Sequence, residues 1–254
     1  MKFENTEVWG FEHSLRGMRN PKNSWNRSDS HYGCDEIMNC NSCRTGQEEG
    51  CFNLKNKYII GENDMKLAQT LIKAGNEHRK FMRQIFVSVD ITAPLYWWKE
   101  FDTYKVGTVA NSTSTMHKLA TTPITLDCFE IDDYDKNLTL ADNPSDDDGI
   151  DSISTFEEDI IYVLENIRQK YLETKDKRYW KELIRWLPES WLQKRTVTMT
   201  YENLLAMCSK SQRRFHKLNE WSGRDNPNVP NFISWTRTLP YAQEFIFIDE
   251  LETN

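Results

Sequence analysis

The chain is 254 residues long and sets 39 Asp and Glu against 32 Lys and Arg, for a formal net charge of -7. That balance counts against broad binding to nucleic acid or to an anionic membrane, because both need a basic face to release or attract counterions. No apolar run approaches the roughly 18 residues of a membrane span, and MKFENTEVWG carries no apolar stretch like that of a signal peptide. A soluble, cytoplasmic protein is expected, with a core carried by large rings, since 12% of its residues are aromatic.

Residues 1 to 60 read as polar and irregular, with a short strand-like opening at Val8, Trp9 and Phe11. Cys34, Cys40, Cys43 and Cys51 follow as Cx5CxxCx7C, with His31 nearby. Four thiolates around zinc would order so polar a stretch, and the CxxC pair has the usual chelating bite. The irregular first spacing fits reduced, packed thiols equally well, and both readings stand; Cys128 and Cys208 read as packing residues.

Asn63 and Asp64 offer an N-cap to MKLAQTLIKAG, where Leu67, Leu71 and Ile72 share a face and Gly75 is a natural stop, which predicts a helix. IFVSVDI places Ile85, Val87, Val89 and Ile91 at alternate positions, a strand with one buried face. Pro94 suits the first turn of a new helix, Trp97, Phe101 and Tyr104 recur at helical spacing, and a Thr/Ser-rich loop comes next. Residues 130 to 152 are acidic and rich in turn formers, a mobile surface loop that lacks the Gly and terminal Glu of a calcium loop.

Ser154 and Glu157 form a capping-box pattern ahead of Ile160, Leu164, Ile167 and Tyr171. A second helix carries Trp180, Leu183, Ile184 and Leu187 and is expected to end at Pro188. KRTVTMTY alternates Val197, Met199 and Tyr201 against Thr196, Thr198 and Thr200, which predicts a strand. A helix over about 202 to 221 is expected to turn Leu204, Leu205, Cys208, Phe215 and Leu218 inward, and the aromatic tail NFISWTRTLPYAQEFIFIDE to pack back on the core. The sum is one α+β domain over 1–254, with 31–58 as a cysteine-bearing insertion.

The order of these elements resembles that of the flavin-dependent thymidylate synthases (ThyX). In that family a helix of the form LIxxLxKxG leads to a strand, to AP or SR, and to a helix ending in the signature RHRxxSxNxxSxRY. Leu71, Ile72, Lys73 and Gly75 match the end of the first helix, and IFVSVDITAP, closing on Ala93 and Pro94, matches the strand. Downstream, Leu187, Pro188, Thr198, Thr200, Leu204 and Leu205 follow the family's second stretch. Arg213 or Arg214, His216 and Glu220 continue it, so the similarity spans about residues 60 to 221 and rests on order and spacing. Thr103, Tyr104 and Lys105 stand where the family has Arg, His and Arg, Glu100 replaces the preceding Gln, and Thr113, Ser114, Thr115 and Met116 replace SxRY. Hydroxyls in place of guanidinium forks remove bidentate anion contacts, which counts against unchanged dUMP methylation.

The resemblance implies a helix-rich fold with a small antiparallel sheet, a homo-oligomer (a tetramer in the family) with sites between subunits, FAD as cofactor, a pyrimidine deoxynucleotide as ligand, and relatives in phage or prophage. It implies nucleotide contacts from Glu100, Thr103, Lys105, Thr108, Asn111 and Thr113, from Ser114 and Thr115, and from Arg213 or Arg214 toward phosphate. Trp97 and Tyr104 would stack on a flavin or base. The residues alone leave plainer alternatives open: Thr, Ser and Asn capping a loop, rings at helical spacing forming core, and a basic 210–217 face offsetting an acidic protein. A catalytically silent scaffold with a regulatory or interaction role is the rival function, and the net charge disfavours a zinc-stabilised nucleic-acid module.

Overall fold

The computed structural model describes residues 1–33, 58–104, 106–139 and 152–251. The four clustered cysteines and residues 140–151 of the acidic loop lie outside them. Structure begins earlier than expected. β1 (Lys2–Trp9) is an eight-residue edge strand in which only Phe3 and Val8 are half-buried, so its alternation hardly shows. α1 (Phe11–Met18) then buries Phe11, Ser14, Leu15 and Met18, the i, i+3, i+4, i+7 stripe of an amphipathic helix. The first sixty residues are therefore not simply irregular. β2 (His31–Tyr32) and β3 (Tyr58–Ile59) pair antiparallel on either side of residues 34–57.

α2 (Glu62–Lys73) forms as expected, but neither Asn63 nor Asp64 caps it. Asp29 does so from outside the helix: its carboxylate accepts from the backbone N–H groups of Asn63 and Asp64 at 2.8 and 3.1 Å. These are donors that an α-helix leaves without intrahelical partners, and an anion is favoured there. Gly61 makes room for it, since a Cβ at that position would lie 2.2 Å from the Asp29 carboxyl carbon. Asp64 is instead fully buried, with Arg19 Nε donating to it at 2.5 Å and the Ser28 and Ser30 hydroxyls each donating at 2.6 Å.

β4 (Phe86–Pro94) buries Val87, Val89, Ile91 and Ala93 completely, with Ile85 just before it, which bears out the alternation. α3 (Leu95–Phe101) follows without a linker. The expected Thr/Ser loop contains a short edge strand, β5 (Val109–Ser112). Next comes a helical hairpin, α4 (Ile153–Thr174) and α5 (Lys177–Arg185). Ser152, two residues before the predicted cap, accepts from the Thr155 N–H and starts α4. α5 stops three residues short of Pro188. β6 (Leu192–Thr200) then runs back between β4 and β5, giving an antiparallel sheet in the order β1-β4-β6-β5. Phe86 pairs with Thr200 and Pro94 with Leu192, while Val109 pairs with Thr198.

The expected helix over 202 to 221 is broken. α6 (Tyr201–Cys208) opens with a Thr200–Asn203 capping box and ends where Ser209 turns extended, at ψ 152. One-turn helices at Lys210–Arg213 and Asn219–Ser222 follow, and Phe215, expected inward, is 60% exposed. The aromatic tail does pack on the core: α7 (Phe232–Arg237) buries Phe232, and Phe245 and Phe247 are fully buried. One core lies between the sheet and these helices. A second joins Leu164 of α4 and Leu183 of α5 to Leu119, Ile124 and Phe129. The fold is thus α+β, helix-rich with a small antiparallel sheet, and no helix of the described residues is long and apolar enough to cross a membrane.

Removing one partner of a buried ion pair costs about 3–5 kcal/mol, so Arg19→Met should lower unfolding stability by that order in chemical denaturation. Burial alone would raise the Asp64 carboxyl, but the Ser28 and Ser30 hydroxyls and Arg19 more than offset it and hold it below its ordinary value. A depressed carboxyl contributes stability above its unfolded pKa and loses it as pH falls through the folded value. Asp64→Asn should therefore be less stable at neutral pH and show a shallower acid-side loss, measured as the denaturation midpoint against pH.

Candidate functional site

α3 follows β4 directly, and the N–H groups of Leu95 and Tyr96 donate to the carbonyls of Trp191 and Glu189, both at 3.1 Å, which fixes the helix against the approach to β6. Trp97, Trp98 and Phe101 are fully buried. Trp97 stacks on Phe101 and packs against Trp221 and Phe232, with ring centroids 5.1, 4.8 and 5.7 Å away. Its ring is thus core, with no open face for a ligand. One turn on, Glu100 and Tyr104 reach the rim of this cluster.

Four side chains meet at that rim. His216 is buried and lies parallel to Trp221 at 4.4 Å; its Nδ1 is 3.1 Å from Glu100 Oε1 and its Nε2 is 2.9 Å from the Met207 carbonyl. Both ring nitrogens face oxygen atoms, which holds the ring in place over Trp221. Gln212 Nε2 donates to Tyr104 Oη at 2.9 Å, and Tyr104 packs edge-on against Trp221. Burial, with the Glu100 charge behind it, pushes the Tyr104 phenol up against the lowering effect of Gln212.

The remaining segment residues are held mostly by local contacts. Thr103 donates to the Glu100 carbonyl at 2.7 Å, Thr108 to the Tyr104 carbonyl at 3.4 Å, and Ser114 caps the one-turn helix Thr115–Lys118. Gly107, at φ +83, lets the turn close over Asn203, whose Nδ2 donates to the Val106 carbonyl at 2.6 Å. Asn111 is exposed on β5 opposite Thr196, and Thr113 is pinned by its own N–H to the Lys194 carbonyl at 2.9 Å. Lys105 lies outside the described residues. One cation here escaped sequence reasoning: Arg195 donates to Asp102 and to Gln193, both at 2.9 Å, and lies 4.2 Å over Trp98, so its charge is already met.

Arg213 and Arg214 face a different cavity. A cleft of about 400 Å³ is lined by Lys210, Arg213, Arg214, Arg224 and Arg237, with the Ser222 and Ser234 hydroxyls, and not by the described residues of 103–115. Glu250 bridges Arg213 at 2.5 Å and Arg237 at 2.7 Å, and those guanidiniums hold its carboxyl down to about 2. Arg224 Nη2 donates to the carbonyls of Arg213 and Arg214 at 3.3 and 3.4 Å, which ties the 222–224 turn to the one before it. Gln212, beside Arg213 in sequence and bonded to Tyr104, links the two halves of the expected site without putting them in one cavity. Arg237 lies in the stretch expected as aromatic core and Arg224 just before it, so nothing in their spacing marked them.

A third cluster lies one turn nearer the start of α3. The Tyr96 hydroxyl donates to Glu220 and lies 3.3 Å from Glu130. One phenolic proton cannot serve two carboxylates, and burial followed by the nearby charges of Asp132 and Glu220 pushes Glu130 up to about 7. As for metal, no group of three or more His, Cys, Asp or Glu among the described residues is arranged to hold an ion. Cys128 and Cys208 are free thiols there.

No protein-family model and no curated protein matches the sequence. Solved structures do share the fold. ThyX from Helicobacter pylori, a flavin-dependent thymidylate synthase in complex with FAD and dUMP, superposes with a TM-score of 0.59 at 14% identity, over 98% of this chain and 99% of that one. A UMP/dUMP methylase, PolB from Streptomyces cacaoi, bound with 5-Br dUMP, gives 0.50 at 12% identity, over 97% and 93%. At such identities the likeness is one of fold, and it extends over nearly the whole chain.

Because the Glu130 carboxyl is raised when folded, its contribution is complete below its unfolded pKa and is lost as pH rises through about 7. Glu130→Gln should remove that loss, so the variant should gain stability on the wild type above pH 7 in urea titrations. A variant whose deficit or gain does not change with pH would show that the proton sits elsewhere.

Proposed function

We propose that this protein binds a pyrimidine deoxynucleotide and serves nucleotide metabolism or modification, with the phosphate held in the arginine cleft. The observation that carries this is the cleft itself: five cations gathered around one small cavity of a protein whose net charge is -7. Planar guanidiniums are suited to bidentate phosphate contacts, and Lys210, Arg214 and Arg224 make no ion pair with a carboxylate side chain among the described residues. The fold shared with proteins crystallised with dUMP or its 5-bromo analogue supports the choice of nucleotide.

In this proposal Glu100, Thr108, Asn111 and Thr113 face the sugar or base, and Tyr104 offers a half-exposed ring for stacking. Since residues 103–115 do not line the cleft of their own chain, the complete site forms between copies in a homo-oligomer. The exposed β5 edge, where Val109 is 67% exposed, together with Val106 in the turn before it, is a surface through which copies can associate. FAD is a candidate second ligand. The ring of Tyr104 suits a flavin, but the described groups around it hold no unpaired cation for a diphosphate. A silent scaffold is favoured by one fact: Glu100, His216, Gln212, Tyr104 and Arg195 are largely satisfied by protein partners.

Thermal unfolding decides between them. At a concentration 100 times its Kd a ligand adds about 2.7 kcal/mol, roughly 5–10 °C for a chain of this size. dUMP should give such a shift and deoxyuridine, lacking the phosphate, should not. Arg214→Ala and Arg224→Ala should each weaken dUMP binding about tenfold or more, since a charged contact is worth ~1.5–3 kcal/mol. No shift with any deoxynucleotide or with FAD would favour the scaffold.

A further inference from the structure

A cavity larger than the arginine cleft lies apart from both that cleft and the Tyr104 rim. It is an open cleft of about 1420 Å³ between the end of α1 with the turns after it, the outward side of α2, and residues 77–84. Lys22 and Arg27 project from the first wall, Lys66 from the second and Lys80 from the third, against a single lining carboxylate, Glu77. Glu77 pairs with Lys80 at 3.2 Å, while Lys22, Arg27 and Lys66 have no acidic partner among the described residues. Acidic residues outnumber basic ones in the whole chain, so this inversion of the lining marks a local field that attracts anions.

The floor is rigid, which separates this cleft from a patch of solvated lysines. Arg19 is tied to buried Asp64, Asp64 is locked by Ser28 and Ser30, and Asp29 caps α2, so the first two walls are joined through buried or half-buried groups. The Ser14 hydroxyl donates to the Phe81 carbonyl at 2.7 Å and fastens the third. Amide side chains punctuate the lining at Asn20, Asn23, Asn26 and Asn63, each able to donate and accept, and Leu67, Leu71 and Phe81 supply apolar surface between them.

We propose that this cleft binds a small molecule bearing a polyphosphate chain, of the nucleoside triphosphate class. Lys22, Arg27, Lys66 and Lys80 meet the phosphates, and the amides and apolar patch meet the nucleoside. A monophosphate would leave most of the cations unused, and a long nucleic acid would be repelled by the acidic surface outside the cleft. The inference does not depend on the pyrimidine nucleotide proposed for the arginine cleft.

Isothermal titration of the full chain with inorganic tripolyphosphate and with ATP, each with and without saturating dUMP, tests it. Both probes should bind, ATP the more tightly, and dUMP should not displace them. Lys22→Glu/Arg27→Glu/Lys66→Glu, all exposed positions, should weaken both by tenfold or more while its melting temperature without ligand stays within a few degrees of the wild type. Arg224→Ala should leave both unchanged. No binding of tripolyphosphate, binding that survives the triple substitution, or binding lost in Arg224→Ala would each overturn the proposal. If dUMP fails to bind but tripolyphosphate binding follows the triple substitution, the arginine-cleft reading falls and this one stands.

Discussion

The arrangement of the candidate site depends on a knot of buried rings. Trp97, Phe101, Trp221 and Phe232 touch one another inside the protein, and His216 extends the stack by lying flat on Trp221. Truncating a fully buried Phe or Trp costs about 3–5 kcal/mol, a large share of the ~5–15 kcal/mol that holds a domain folded. The knot joins three stretches distant in sequence: α3, the turn at 219–222, and α7. Because it fixes α3 from within, Glu100 and Tyr104 come to the rim at set positions. The indole N–H groups of Trp97 and Trp221 have no hydrogen-bond partner among the described residues. An unmet buried donor costs about 1–3 kcal/mol, so the packing of the rings outweighs two such losses.

What was legible in the sequence follows from how each element meets the core. β4 and β6 are buried on one face, so Val87, Val89, Ile91, Val197 and Met199 announce them by simple alternation. β1 has the same geometry but sits at the sheet edge, where Lys2, Glu4 and Glu7 are exposed and dilute the signal. β5 is exposed along its length and is held by its pairing with β6, a constraint that no local pattern displays. The break in the 202–221 helix was hidden for a different reason. Its apolar residues keep helical spacing, but Ser209 takes an extended backbone and the chain turns so that His216, rather than Phe215, enters the core.

The same contrast applies to the site. Nothing in the sequence pairs His216 with Glu100, and only the fold shows them 3.1 Å apart, with His216 lying over Trp221. Arg213 and Arg214 were legible as a basic pair, but Arg224, on the bend after Asn219–Ser222, and Arg237, at the end of α7, join them only through the fold. Asp64 is the reverse case. Its type and place next to Asn63 suggest a cap, yet Asp29 takes that role and frees Asp64 to bury its charge against Arg19. Capping patterns name residues able to cap; burial decides which of them do.

Two positively lined clefts in an acidic chain are built on different physical terms. Around the small one, Glu250 neutralises part of the charge and the rings of Phe215 and Phe247 support three of the guanidiniums, so its cations are preorganised at close range. Around the large one Lys80 pairs with Glu77, while Lys22, Arg27 and Lys66 have no acidic partner among the described residues, and the walls that carry them are joined through a floor of buried polar contacts. The first geometry favours a compact anion with several oxygens, the second an extended one whose charges are spaced along a chain. The segment that resembles the flavoenzyme signature carries Thr, Ser and Tyr, and its own hydroxyls bond largely to its own backbone. The cations that line the two clefts lie elsewhere, on residues 210–237 and on the walls formed by α1, the turns after it, α2 and residues 77–84.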